Sequence, residues 1–151
     1  MLILPNEWVL DYLTPGTNKP QLSEAFLREC RSRGHILLMR RESNFRTKLF
    51  RYSRLYPNLL DIGRFVSLSL RDFELFRIIE ETEMSPDIPN LASIPADDRY
   101  LVEVLWSFRD AILVTTDGFL QGQVVALDLR AVLFQDDVQV VMARIEDFAT
   151  K

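Results

Sequence analysis

The feature that most constrains this chain is a helix running straight into an apolar strand, with carboxylates at the helix start and at the strand end. Asp97-Asp98 opens the stretch, residues 99–108 have the apolar spacing of one amphipathic helix, and Ile112-Leu113-Val114-Thr115-Thr116-Asp117 reads as a buried strand ending on an acid. A helix that returns the chain antiparallel to the next strand starts near where that strand finishes. Asp97, Asp98 and Asp117 are therefore expected to meet at one rim of an open parallel sheet, where ligand crevices lie. Carboxylates grouped in this way repel one another unless a cation sits among them, which points to a hard divalent ion such as Mg²⁺.

The rest of the chain alternates in the same sense. Short apolar runs at 1–4, 35–39 and 138–142 join 112–116 as expected strands. Between them, Asn6 caps a short helix carrying Trp8, Val9 and Leu10. Residues 14–20 are loop, and 21–33 is a helix with Leu22, Phe26 and Cys30 on one side and Gly34 to end it. Ser43 or Asn44 caps a helix to about Tyr56. Further helices are expected over 59–70, 72–83 and 127–134, a loop over 84–95, a short Gly-containing segment over 118–126, and a last helical turn over 145–148. Strands separated by helices give an α/β fold, a three-layer α/β/α sandwich around a mostly parallel sheet of four or five strands.

The 151 residues suit one domain spanning 1–151, and 48% apolar with 26% charged residues is ordinary for a globular chain. No apolar run approaches the ~20 residues of a membrane helix, and the amino terminus lacks the basic and small-residue features of a signal peptide. Cys30 is the only cysteine, which excludes an intrachain disulfide and fits a reducing cytoplasm; with His35 the only histidine, zinc has no ligand set. The net charge of −4 hides an asymmetry, because nine of the eighteen basic residues lie between Arg28 and Arg54 against only Glu29 and Glu42. Phe45, Phe50 and Tyr52 are interleaved with them, as in surfaces that hold a phosphate backbone and stack bases, or simply as core aromatics under a solvated helix face.

At Asp97-Asp98 through Asp117 the chain resembles the PIN-domain family of metal-dependent ribonucleases. The shared elements are aspartates opening a helix and an apolar strand that ends in the valine–threonine–variable–aspartate pattern, here Val114-Thr115-Thr116-Asp117. Val138-Gln139-Val140-Val141 with Ile145-Glu146-Asp147-Phe148 resembles the family's last strand and closing turn. The first strand departs from the pattern. Where the family carries an aspartate this chain has Pro5, with Asn6 and Glu7 following. The second acidic position is nearest to Glu42, with Glu24 and Glu29 as further candidates.

The resemblance implies a ribonuclease that hydrolyses RNA phosphodiester bonds with Mg²⁺ or Mn²⁺. Asp98, Asp117, Asp97 and Glu7 would be ligands, Glu7 or Glu42 would complete the catalytic carboxylates, and Asn6, Thr115, Thr116, Arg40, Arg41, Arg46 and Lys48 would contact the strand. It also implies RNA as partner, an antitoxin if the protein is the toxin of a toxin–antitoxin pair, and a second copy of the chain as a homodimer. The alternative is a PIN-like domain impaired by Pro5 that binds RNA or a protein without cutting. A response-regulator-like domain is disfavoured, because it wants an acidic pair after the first strand and a lysine after the last, and no lysine lies between Lys48 and Lys151. Each acid also has a plain role open to it. Asp97 or Asp98 can cap a helix, Asp117 can turn the chain before Gly118, and Glu7 can complement a helix dipole.

Overall fold

The structure, a computed structural model, describes residues 1–17 and 19–150; Asn18, within the loop expected over 14–20, and Lys151 lie outside the described residues. The chain runs β1 Leu2–Pro5, α1 Trp8–Asp11, α2 Pro20–Ser32, β2 Ile36–Arg40, α3 Asn44–Leu55, α4 Leu60–Arg71, β3 Phe76–Ile79, α5 Arg99–Ser107, β4 Ile112–Thr115, α6 Gly118–Ala126, β5 Arg130–Leu133 and α7 Val138–Asp147. The five strands form one all-parallel sheet in the order β3-β2-β1-β4-β5, flanked by the helices as a three-layer α/β/α sandwich.

Parallel neighbours require crossovers, and these are nearly always right-handed. From β1 the chain steps outward through β2 to β3, then returns past β1 to β4 and steps outward the other way to β5. The direction reverses between β1 and β4, which makes their carboxyl ends the topological switch point. Central strands covered on both faces read as unbroken apolar runs. Accordingly Ile112, Leu113, Val114 and Thr115 are all fully buried, as is Ile3 beside them.

Three local expectations fail, all at the sheet's margins. Residues 72–83 were to be helical on Phe73, Phe76 and Ile79, but α4 ends at Arg71 and Phe76–Ile79 is the edge strand β3, with Phe73 82% exposed. Residues 127–134 are likewise no helix, since Arg130–Leu133 forms the other edge, β5. Residues 138–142, compared above with a final strand, begin helix α7. Asp137 caps it by accepting from the Val140 N–H at 3.1 Å, and Val138, Val141, Met142 and Ile145 are buried at helical spacing. Residues 118–126, read only as a short segment, form α6. The helices 21–33, 43–56 and 59–70 stand with small shifts of boundary, and Ser43 caps α3 as expected.

Trp8 joins α1 to the sheet. Its ring stacks on Phe134 at 4.3 Å and meets Phe26 edge-on at 5.1 Å, while Nε1 donates to the Val114 carbonyl at 2.9 Å. Cys30 is buried filler, and burial pushes its thiol up to about 12. Trp8→Ala should destabilise the domain by about 3–5 kcal/mol, the range for emptying a buried aromatic site, measured by urea unfolding.

Candidate functional site

Two chain segments leave the sheet side by side at the switch point, Asn6-Glu7 after β1 and Thr116-Asp117 after β4. Pro5 carries no N–H, and the Asn6 N–H extends the β1–β4 pairing past it by donating to the Val114 carbonyl at 3.1 Å. The buried Thr115 hydroxyl fastens the two exits together. It accepts from Asn6 Nδ2 at 3.1 Å and from the Asp117 N–H at 3.1 Å. Asn6 therefore does not cap α1; its Oδ1 accepts from the adjacent Glu7 N–H at 2.7 Å. Thr115 and Asn6 position the rim, and Thr116 is exposed on it.

Asp117 has two uses. Its Oδ1 caps α6 by accepting from the Phe119 and Leu120 N–H groups at 3.0 and 3.1 Å, and the carboxylate remains exposed at the crevice. Asp98 stands at the start of α5, immediately after a 3₁₀ turn over Ala96–Asp98, yet makes no side-chain cap bond. Burial first, then the charges of Asp117 and Asp97, hold its carboxyl above the usual carboxylate range. Glu7 is also raised, chiefly by burial and further by Asp11 and Asp98, against the lowering pull of Lys48. Asp98 thus lies within electrostatic reach of both Glu7 and Asp117. Among the described residues, Asp97, Asp98 and Asp117 carry no ion pair, and no group of three or more acidic, histidine or cysteine side chains converges as a ready metal cage.

Glu7 is already served by a cation. Lys48 Nζ lies 3.7 Å from its carboxylate and 3.1 Å from that of Asp11, which also accepts from the Tyr52 hydroxyl at 2.7 Å. Arg40 and Arg41 are similarly engaged by carboxylates, whereas Arg46 has no carboxylate partner among the described residues. Arg40, with its side chain only 10% exposed, bridges Glu103 at 2.9 Å and Glu81 at 2.7 Å. Arg41 pairs with Glu80 at 2.7 Å, and Arg46 lies over the Phe50 ring at 5.2 Å. Glu42 is exposed, and its charge acts on Arg41 rather than on the rim acids.

Two features had no forecast from the sequence. A cleft of about 310 Å³ opens beside the rim, lined by Glu7, Asn44, Thr47, Lys48, Arg51 and Asp97. Four of these residues fall on α3 at i, i+3, i+4 and i+7, a spacing visible in the sequence as one helix face. The second is Tyr100 on α5. Its buried hydroxyl has no hydrogen-bond partner among the described residues, and burial together with Glu7 and Asp98 pushes it well above the usual phenol range.

Compared with known proteins, the chain matches no family model, no curated protein and no solved structure.

The electrostatics give two expectations. A carboxyl raised in the folded state costs stability when ionised, and that cost disappears as pH falls through its raised pKa. Asp98→Asn should therefore raise Tm at neutral pH, and the gain over wild type should vanish in scans below about pH 4, the ordinary aspartate range. Tyr100→Phe removes a buried hydroxyl with no partner, so it should leave the fold intact and stabilise it by about 1 kcal/mol in urea unfolding.

Proposed function

We propose that the crevice between β1 and β4 holds one hydrated divalent cation, Mg²⁺ or Mn²⁺, and hydrolyses RNA phosphodiester bonds as PIN-like ribonucleases do. The observation that carries this reading is the group Asp98, Asp117 and Asp97. These acids sit at the switch point, Asp117 and Asp97 add to the effect of burial in raising the Asp98 carboxyl, and no cation among the described residues pairs with them. With no three-carboxylate cage among the described residues, the reading takes a single hydrated ion. Mg²⁺ keeps several waters and needs only one or two carboxylates, which Asp98 and the free side of Asp117 supply. A second ion would need Glu7, which Lys48 already contacts at 3.7 Å, and an acid where Pro5 stands.

When bound, such an ion would polarise a phosphate oxygen and acidify its water. The chain's own part is orientation. Thr115 holds the two rim segments at one spacing, and α6 fixes Asp117 through its cap bonds. Pro5 and the Glu7–Lys48 pair also favour a second reading, a domain that binds RNA or a protein partner without cutting it.

Titration of Mn²⁺ into the protein tests the site. We expect binding in the micromolar range and a rise in Tm with added ion, because a ligand that binds only the folded state stabilises it. Asp98→Asn should abolish both effects. Asp117→Asn should do the same while keeping the α6 cap, since asparagine caps as well as aspartate. Saturable Mn²⁺ binding without cleavage of a single-stranded RNA would support the second reading. The absence of binding would remove the cleavage reading.

A further inference from the structure

We propose that the cleft beside the acidic rim seats a backbone phosphate of a single-stranded nucleic acid, with Arg51 of α3 as its principal contact. The inference rests on the reading that the neighbouring rim acts on RNA, and it names where the strand is held.

The cleft's near wall is a single helix face. Asn44, Thr47, Lys48 and Arg51 follow one another at helical spacing along α3, and exposed Arg54 continues the row away from the rim. Its position is fixed, because Asn44 Nδ2 donates to the Asp97 carbonyl at 3.1 Å and so ties the start of α3 to the segment that carries Asp98. Whatever occupies the cleft therefore lies next to the rim acids.

Charge decides what fits. Lys48 is taken up by Glu7 and Asp11, and Arg40 and Arg41 by Glu81, Glu103 and Glu80. Arg51 differs. It is exposed, it lies 5.6 Å from the Tyr52 ring, and among the described residues it has no carboxylate partner. A guanidinium free of carboxylates, with the Thr47 hydroxyl one turn away, suits a phosphate oxygen. Glu7, which pairs with Lys48, and Asp97 also line the cleft, and Asp97 is an acceptor for a sugar hydroxyl or base amine of the same nucleotide. The cleft's 310 Å³ is on the scale of a single nucleotide unit.

The test is the anisotropy of a fluorescently labelled oligouridine titrated with the full chain in EDTA over a range of salt. Wild type should bind with an affinity that falls as salt rises. Arg51→Gln should flatten the log–log slope by about 0.7, the value of one phosphate contact on a single strand, and weaken binding about fivefold at about 0.1 M salt. Thr47→Glu, which places an acid on the exposed wall, should weaken it further, whereas Arg144→Gln on α7 should match wild type. Equal Tm values for the variants establish that the fold is kept.

If wild type binds and Arg51→Gln binds equally well, the seat is overturned and the metal reading stands. The seat is also overturned if the strand fails to bind although Mn²⁺ does, or if a duplex of the same sequence binds more tightly than the single strand. Arg51-dependent strand binding in a protein that takes up no Mn²⁺ would uphold the seat and remove the cleavage reading.

Discussion

The pairing of β1 with β4 is the constraint on which the rest of this molecule depends. Both strands are central and buried, and they are joined at their carboxyl ends by contacts that converge on Val114 and Thr115. Asn6 and Trp8 both donate to the Val114 carbonyl, and Asn6 and Asp117 both donate to the Thr115 hydroxyl. Because the direction of the fold reverses between these strands, no crossover covers the gap where they end. The crevice is a consequence of topology, and the threonine fixes its width.

Charge is distributed around that crevice with a clear division. On the α3 side the bases are held by acids, Lys48 between Glu7 and Asp11 and Arg40 between Glu81 and Glu103. On the α5 side, Asp98 feels the charges of Asp117 and Asp97, and none of the three has an ion-pair partner among the described residues. The ionic pairs near the surface contribute little stability individually. They occupy Arg40, Arg41 and Lys48, three of the cations of the basic segment. Among the described residues, Arg46, Arg51 and Arg54 of α3 have no carboxylate partner, and of these Arg51 lines the cleft.

The buried centre of the fold was legible in the residues, and its margins were not. Ile112-Leu113-Val114 can only be a covered strand in a chain of this kind, and Leu37-Leu38-Met39 reads the same way. The edge strands Phe76–Ile79 and Arg130–Leu133 carry an arginine and cover one face less completely, so their short patterns resemble helix turns as much as strands. The error at 138–142 had a remedy in the sequence. Asp137 as a cap and the 138, 141, 142, 145 spacing both mark a helix, but four apolar residues among the first five mimic a strand.

For the site, the sequence by itself determined which acids stand at strand ends and helix starts, because connection lengths and apolar runs place Asp98 and Asp117 at the same rim. It also marked the departure at Pro5. Only the tertiary structure decided how those side chains are used. That Asp98 caps nothing, that Lys48 reaches back to Glu7, that Arg40 is drawn inward between two glutamates and that Tyr100 has no hydroxyl partner all depend on distances between residues far apart in the chain. Local patterns set the position of a side chain on its own element. Its partner is set by packing, and with it whether a charge is satisfied at home or left for a ligand.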